Sequence, residues 1–405
     1  MFGVTDQFRR AQLAIAALFC FLGFQYATWA SRLPALKTRL DLSEAELGLL
    51  LMACGAGAAA SFPLVAVLMK RLGSRRLAVL SAVCLSLLLP ALSAAPDYPV
   101  ALVVICCDGV AVGSLNVAMN AQGAALEVTH QRTAMAKLHA AFSAGSLFAA
   151  LLASGVNVVT TDVAVHFGVA AALLLLLVGL TSSGLLTDDQ QTPAGIPAET
   201  HAEDPAQEKR RRRLSMPARV TVWMGCAMVF GTVTEGAMND WSALYMKDVV
   251  DAASELAPMG IAVVSVMMVL ARIFADGWRS RWGDGRIVRV GSVVAGVGLA
   301  LALLAGGVVP TLIGFACVGL GVAAVTPCIY VAAAAQGTDA LALVAAMGTT
   351  GLLAGPALIG FIASAGSLVW GMGAVAASAI LVAVCATQIR WPKLADSRAV
   401  LAPES

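Results

Sequence analysis

The stretch Gln190–Arg219 has the sequence QQTPAGIPAETHAEDPAQEKRRRRLSMPAR and divides the chain in two. Three prolines precede five consecutive basic residues, Lys209 to Arg213, and charges of both signs lie between them. A segment of this composition cannot bury an apolar face, so we expect a solvated, flexible connector. Hydrophobic blocks of similar length lie on both sides of it. This division predicts two domains joined by a linker.

The rest of the composition is typical of a membrane protein. Hydrophobic residues make up 59% of the 405 residues and charged residues 12%, about half of the charged share in soluble domains. Long runs that are almost free of charge, such as 164–180 and 291–310, are typical of helices that cross a bilayer. The nine cysteines all fall in such runs without paired spacing. They indicate packing residues, and we expect no metal site or cofactor.

Twelve stretches of about 20 residues, the length that a bilayer requires, are predicted as transmembrane helices, six on each side of the linker. The predicted fold is therefore an all-α membrane protein built from two pseudo-symmetric six-helix bundles. Its predicted parts are a bundle at 1–186, a linker at 187–217, a bundle at 218–392 and a tail at 393–405. The predicted spans are 11–31, 45–68, 77–95, 100–125, 135–158, 164–185, 218–244, 257–277, 287–306, 310–334, 341–364 and 368–389.

The positions of lysine and arginine predict the orientation of the spans. With a cytoplasmic N-terminus, 22 of the 26 basic residues fall in segments on the cytoplasmic side, and Arg32, Lys37, Arg39 and Lys247 fall outside. Both termini and the linker are therefore predicted to be cytoplasmic. The arginine run lies beside a span, so we interpret it as an orientation signal in contact with anionic lipid and not as a nucleic-acid site. We expect a monomer.

The two hydrophobic blocks align with each other. Residues 68–76 (LMKRLGSRR) correspond to residues 278–286 (WRSRWGDGR) at an offset of 210, and the same offset places Asn116 on Thr326. One constant offset across separate helices indicates the tandem duplication of a six-helix unit, an arrangement that many transporters use.

Twelve spans in two halves, with a basic glycine-containing loop after the second span of each half, resemble the major facilitator superfamily. The most specific match is residues 272–286 (RIFADGWRSRWGDGR). In that family such a loop joins the two halves through salt bridges in the outward-open state. The first-half copy has Ala66 where the acid is expected. The resemblance implies a latch that contains Arg272, Asp276, Arg281 and Arg286.

Three further strings resemble a bacterial branch of that family near the fucose and glucose permeases: 29–34 (WASRLP), 116–122 (NVAMNAQ) and 235–241 (EGAMNDW). The resemblance implies an inner-membrane transporter that moves a small polar solute, a sugar or related metabolite, by alternating access and proton symport. The fifth span lacks the Gly-Pro-rich motif of drug antiporters. Two alternatives remain: a proton-coupled exporter of drugs or metabolites, and a receptor or scaffold that does not transport. No nucleophile–base pair or cofactor loop indicates an enzyme.

The fourth span carries a stripe of glycines and amides. Its members are spaced 4, 3, 4, 3 and 4 residues apart and therefore lie on one helix face: Gly109, Gly113, Asn116, Asn120, Gly123 and Glu127. Such a face either packs against another helix or lines a cavity with hydrogen-bonding amides. We interpret Asn116 and Asn120, with Thr326 in the second half, as ligands of the solute.

Glu235 lies deep in the seventh span, with Asn239 on the same face. A carboxylate at this depth is costly when it is ionised, which suits a group that binds and releases a coupling proton. The alternative is a structural ion pair with a cation from another helix. Asp108 is a second candidate for proton coupling, about 80° from the polar stripe of the fourth span.

The first span presents Gln25, Trp29 and Arg32 on one face. We interpret Gln25 as a ligand of the solute. Trp29 and its repeat mate Trp241 either stack on the solute or lie in the interfacial aromatic belt.

Two gates are predicted from charged residues. At the outer end, Arg32 could pair with Asp240 or Glu235 across the halves. At the cytoplasmic end, Glu127 and His139 lie where the fourth and fifth spans meet, and we interpret them as latch residues.

Overall fold

A computed structural model describes residues 7–187, without 131 and 133, and residues 219–391. The predicted linker lies outside these residues except for Thr187, and the predicted tail lies outside them entirely. The described residues form thirteen α-helices and a 3-10 turn at Ser182–Gly184. The helices are α1 Gln7–Ala30, α2 Leu33–Leu40, α3 Glu44–Ser93, α4 Tyr98–His130, α5 Met135–Val159, α6 Val163–Thr181, α7 Arg219–Asp248, α8 Met259–Trp282, α9 Asp284–Ala305, α10 Val308–Val322, α11 Val325–Ala334, α12 Thr338–Ala365 and α13 Leu368–Thr387.

The predicted twelve membrane crossings are present. Within the described residues, ten helical stretches are long and apolar enough to cross a bilayer. One of them is α3, whose 50 residues cover two predicted spans. The twelfth crossing is α8, which contains the shorter apolar stretch Met259–Ala275. The predicted all-α membrane fold is confirmed.

The backbone repeats with the offset found in the sequence. Gly73 turns the chain inside α3 with φ 72°, and Gly283 separates α8 from α9 with φ 77°. Asp41 and Asp251 are the two non-glycine residues with positive φ in the described chain, at 52° and 53°. Each pair is 210 positions apart. The structure therefore confirms the tandem duplication.

Two local features differ from the predicted spans. The short helix α2 was not predicted; Pro34 lies in its first turn, where the missing N–H of proline has no cost. The predicted span 310–334 is interrupted between α10 and α11. Pro327 in the first turn of α11 cannot donate a hydrogen bond to the preceding turn, which explains the break.

Each half is a bundle of its own, and a few helix pairs join the two. The first half comprises α1–α6 and the second α7–α13. Across the halves, α3 packs against α12, α5 against α8, and α1 and α2 against α7. We call the end of the bundle that carries Thr187 and Arg219 the linker end, and the end that carries α2 the far end.

The halves touch at the far end and separate toward the linker end. In the outer turns of α12, Gly360 lies against Gly48, and Leu353 lies against Gly55 of α3. Thr349 is one turn closer to the linker end on the same face, and it is exposed. The interface between α3 and α12 therefore opens in the middle of the bundle, at the level of the polar residues described next.

Candidate functional site

An ion pair lies in the middle of the bundle, where the two halves meet. Nη2 of Arg272 on α8 is 3.1 Å from Oε1 of Glu235 on α7, and Nη1 of Arg272 donates to Oγ of Ser143 on α5 at 2.5 Å. Glu235 is 16 residues into α7, roughly 24 Å along a helix of about 45 Å. The side chain of Glu235 is 28% exposed and that of Arg272 is 24% exposed. The structure thus forms the ion pair that was the alternative interpretation of Glu235, and it leaves the pair partly accessible.

Asp108 lies in a buried polar contact within the first half. Its Oδ1 accepts a hydrogen bond of 2.7 Å from Nε2 of Gln25, and the Sγ of Cys54 is 3.9 Å from its Oδ2. Gln25 is completely buried and Asp108 is 3% exposed. Gln25, predicted to bind the solute, is therefore a partner of Asp108 in this conformation.

A second buried carboxyl joins the halves. The hydroxyl of Tyr26 on α1 donates to the carboxylate of Asp240 on α7. Asp240 is 2% exposed, and the ring of Trp29 packs edge-on against Tyr26 with 5.0 Å between centroids. Within the described residues, neither Asp240 nor Asp108 forms an ion pair. The sequence pattern did not indicate Tyr26, because a single tyrosine in an apolar helix belongs to no recognisable stripe.

The two predicted tryptophans are enclosed. Trp29 is 1% exposed and Trp241 is not exposed at all, and neither indole N–H has a hydrogen-bond partner among the described residues. Neither side chain reaches a membrane interface or an open cavity in this conformation. Their role in stacking on a solute stays a prediction.

The stripe on α4 both packs against other helices and presents amide groups that are accessible. Gly109 and Gly113 lie against the backbone of α3, and Gly123 lies against the start of α5, so the glycines pack helices together. Asn116 is exposed and Asn120 half-buried. Nδ2 of Asn120 donates to Oδ1 of Asn116 at 2.8 Å, which leaves the Asn116 amide N–H groups available.

Two further predicted ligands lie in the second half. Asn239 is half-buried and lies one turn from Glu235. Nδ2 of Asn239 donates to the backbone carbonyl of Glu235 at 3.1 Å. Thr326 is half-buried in the first turn of α11, next to the break that follows α10.

The expected pairing of Arg32 with Asp240 or Glu235 does not occur in this structure. Nε of Arg32 donates to Nδ1 of His166 at 3.1 Å, and Nη1 donates to Asn157. Both partners belong to the first half, because the Arg32 side chain turns toward the connection between α5 and α6. Asn157 in turn donates to the carbonyl of Ser254 in the second half at 2.7 Å, so Arg32 supports the far end indirectly.

Glu127 and His139 both support α5 at the linker end. Oε1 of Glu127 accepts from the backbone N–H groups of Ala134 and Met135, and it thereby satisfies donors that a helix start leaves free. The ring of His139 packs edge-on against Phe19 at 5.0 Å. Their role as latch residues stays a prediction.

The linker-end loop of the second half is open in this conformation. Arg281 and Arg286 are exposed, and neither has an ion-pair partner in the described part of the chain; the side chain of Asp276 lies outside the description. Across Gly283, Nε and Nη2 of Arg279 donate to the two carboxylate oxygens of Asp284 at 2.9 and 3.0 Å. This bidentate pair was not predicted.

An unpredicted ionic contact closes the far end. Nζ of Lys37 on α2 is 2.9 Å from Oε1 of Glu44 and 2.7 Å from Oδ2 of Asp248 in the other half. Burial works against the charged form of Lys37, but the hydrogen bonds to the two carboxylates outweigh it and raise its pKa above the ordinary value of 10.5. A cavity of about 140 Å³ lies beside this contact, lined among others by Arg32, Asn157 and Asp248. The sequence could not indicate the contact because α2 was not predicted.

Comparison with known proteins agrees with the fold. The sequence pattern of the Major Facilitator Superfamily matches residues 13–338. An uncharacterized transporter of Sinorhizobium fredii, y4wD, is 32% identical over 381 residues, which cover 93% of this chain and 97% of that protein.

Two solved structures share the fold at low sequence identity. A D-xylose-proton symporter superimposes with a TM-score of 0.72 at 16% identity, over 95% of this chain and 99% of that one. The nucleoside transporter NupG superimposes with a TM-score of 0.70 at 14% identity, over 95% and 98% of the two chains. Together with the family match, these relations show that the chain is a membrane transporter and belongs to the major facilitator superfamily.

Proposed function

We propose that this transporter carries a small polar solute across the bacterial cytoplasmic membrane by alternating access, as a proton symporter. The contacts at the far end and the divergence of α3 and α12 toward the linker end support one of the two conformations that alternating access requires. The distribution of basic residues favours a cytoplasmic linker end. On that orientation the structure corresponds to the inward-open state, with both termini in the cytoplasm.

The ion pair of Arg272 and Glu235 is the observation that carries the proposed solute site. It lies near mid-membrane at the boundary of the halves and remains about a quarter exposed. Charged groups at this depth are costly unless they serve a pathway or a partner. Arg272 has donors and Glu235 has acceptors, so the pair suits a solute with several hydroxyl or carbonyl groups. Asn116, Asn120, Asn239 and Thr326 would add neutral donors and acceptors around it.

The proposed coupling groups are Glu235 and Asp108. Glu235 is held by Arg272 in this conformation, so a solute that draws Arg272 away would leave the carboxylate without its cation and ready to bind a proton. In the described part of the chain, the partners of Asp108 are the neutral side chains of Gln25 and Cys54. The amide of Gln25 stabilises it without supplying charge, which suits an acid that carries a proton through the buried state.

The two similar folds transport different polar solutes, a nucleoside in one and D-xylose with protons in the other. Both solutes carry several hydroxyl groups, which agrees with the donor and acceptor groups around Arg272. At these identities they support the solute class by analogy alone.

The proposed solute class can be tested by measuring the Tm of the purified protein in the presence of each of several ligand classes. These are sugars, nucleosides, organic acids, amino acids and lipophilic cations. A ligand that binds only the folded protein stabilises it by about 2.7 kcal/mol at a hundred times its Kd. We expect a rise in Tm with one polar family and no rise in an Arg272→Ala variant. Stabilisation by lipophilic cations alone would instead indicate an exporter, and no stabilisation at all would indicate a receptor or scaffold.

A further inference from the structure

The hydrogen bond between Tyr26 and Asp240 joins the halves at the place where the far end closes. Tyr26 belongs to the first half and Asp240 to the second, so the bond must break whenever the far end opens. Asp240 lies five residues beyond Glu235, roughly 7.5 Å further toward the far end. It is 2% exposed although the bundle is open at the linker end. Water from the linker end therefore does not reach this carboxyl.

Among the described residues, the groups close to Asp240 bring no positive charge. Tyr26 of α1 donates to Asp240, and Cys54 of α3, which lies beside Asp108 of α4, is close enough to interact with Asp240 electrostatically. All three are neutral or acidic. The helices α10 to α13 have no acidic or basic residue within their described bounds except Asp339, which lies at the linker end of α12.

The nearby cations have other partners. Arg272 of α8 binds Glu235, and Lys37 of α2 binds Glu44 and Asp248. An ionised carboxyl enclosed without a cation costs several kcal/mol, whereas a neutral one needs only its hydrogen bond. The closed far end therefore favours a neutral Asp240.

We propose that Asp240 is a proton-binding site that the far end must fill in order to close. The neutral carboxyl is the form that Tyr26 and the indole of Trp29 can enclose, and the ionised form keeps the far end open to water. The proton comes from water at the far end and returns to the same side when that end reopens. Asp240 thus controls closure without carrying the proton across the membrane. This inference rests on the proposed alternating access and adds a site beyond Glu235 and Asp108.

The test is a distance measurement on the full chain in lipid nanodiscs. Spin labels are attached through encoded keto amino acids at Thr38 and Ala253, two exposed positions on opposite halves of the far end, so the native cysteines are kept. Pulsed EPR then gives the ratio of closed to open molecules between pH 5 and pH 9. If closure binds one proton, this ratio rises by up to about tenfold for each unit of pH decrease.

Two variants separate the proposed site from other acids of the far end. Asp240→Asn is permanently neutral and still accepts from Tyr26, so we expect it to be closed at every pH. Glu255→Gln is the control, because Glu255 is an acid of the far end whose side chain forms no ion pair among the described residues. We expect it to keep the wild-type pH response.

A third variant keeps the test decisive if Asp240→Asn does not fold. Tyr26→Phe removes a hydrogen bond that exists only when the far end is closed, so its closed fraction should be several-fold smaller wherever the wild type is partly closed. A wild-type ratio that is independent of pH would overturn the proposal, and so would a full response in Asp240→Asn or an unchanged closed fraction in Tyr26→Phe. The measurement needs no solute. A protein that shows the response but no proton-driven uptake would therefore contradict the proposed symport and leave this inference standing.

Discussion

Arg272 binds Glu235 in its own half and Ser143 in the other half, so one guanidinium connects the acidic centre of the second bundle to the first. The contact across the halves is one hydrogen bond from the guanidinium to a neutral hydroxyl, while the contact within the half is an ion pair. Movement of the halves can therefore break the former and keep the latter. Because of this difference, Arg272 is suited to couple solute binding to the movement of the two halves.

Removal of the Arg272 side chain should be costly. Arg272→Ala leaves Glu235 without its cation, and because both side chains are about a quarter exposed we discount the ~3–5 kcal/mol of a fully buried pair to about 1–3 kcal/mol. We expect a lower Tm and no stabilisation by solute. Ser143→Ala is the control: it removes only the contact across the halves, leaves the ion pair in place, and should still bind solute. Equal solute binding by Arg272→Ala and the wild type would contradict the assigned site.

The close approach of α3 and α4 depends on Gly109. An added Cβ there would lie 1.8 Å from the carbonyl oxygen of Cys54, so the helices must separate. We expect Gly109→Ala to lower stability by about 1–3 kcal/mol, measured as a loss of Tm in detergent. Gly168→Ala on α6 is the matched control, because no atom lies within 4 Å of its added Cβ, and it should be neutral or slightly stabilising. Equal losses in both variants would refute the packing argument.

The duplicated turns should respond alike to the same substitution. Gly73 has φ 72° and ψ 165°, and Gly283 has φ 77° and ψ 150°, a region of backbone conformation in which a side chain costs about 1–3 kcal/mol. We expect Gly73→Ala and Gly283→Ala each to lower the Tm by similar amounts. Gly277 lies in ordinary helix with open space around it, so Gly277→Ala should leave the Tm unchanged. A loss confined to one of the two turns would show that the halves do not share this backbone constraint.

The ionic contact at the far end should favour closure weakly and in a salt-dependent way. Asp248→Asn removes the bond from Lys37 across the halves, and a pair this exposed contributes about 0.2–1 kcal/mol. With spin labels at Thr38 and Ala253, we expect the ratio of closed to open molecules to fall by up to about fivefold in this variant. We expect a similar fall in the wild type at high salt. Glu255→Gln is the control, since no ion pair of the Glu255 side chain occurs among the described residues. A closed fraction unchanged in Asp248→Asn would exclude this contact from the gate.

The pH dependence of that contact has a definite sign. The pKa of Lys37 is raised above 10.5, so its contribution is fully present below the ordinary lysine value and is lost only as the pH rises through the raised value. A pH response of the far end between pH 5 and pH 9 therefore does not come from Lys37. A response that survived in Asp240→Asn and vanished in Lys37→Met would contradict this assignment.

Periodicity and repetition predicted the fold because both depend on local sequence. The span lengths follow from bilayer thickness, and the offset of 210 anticipated that Gly73 and Gly283 would be equivalent. The helix α2 was missed, because a short segment that begins with a proline leaves little hydrophobic signal. Boundaries of this kind depend on how neighbouring helices pack.

The candidate site was predicted less completely, because its contacts join distant helices. Glu235 and Asp108 are visible as acids in apolar spans, but their partners Arg272 and Gln25 are decided by how the helices pack. Tyr26 had no sequence signal at all. Arg32 was assigned the wrong partner because the path of its side chain toward Asn157 depends on the connection between α5 and α6.

The central claim is tested most directly by solute uptake into proteoliposomes with an imposed proton gradient. The solute is the one that stabilises the purified protein, and the wild type is compared with Glu235→Gln. We expect the wild type to accumulate the solute against its gradient when the outside is more acidic, and Glu235→Gln to lose this accumulation while it still exchanges internal for external solute. Accumulation that does not respond to the proton gradient, or that survives intact in Glu235→Gln, would contradict the account.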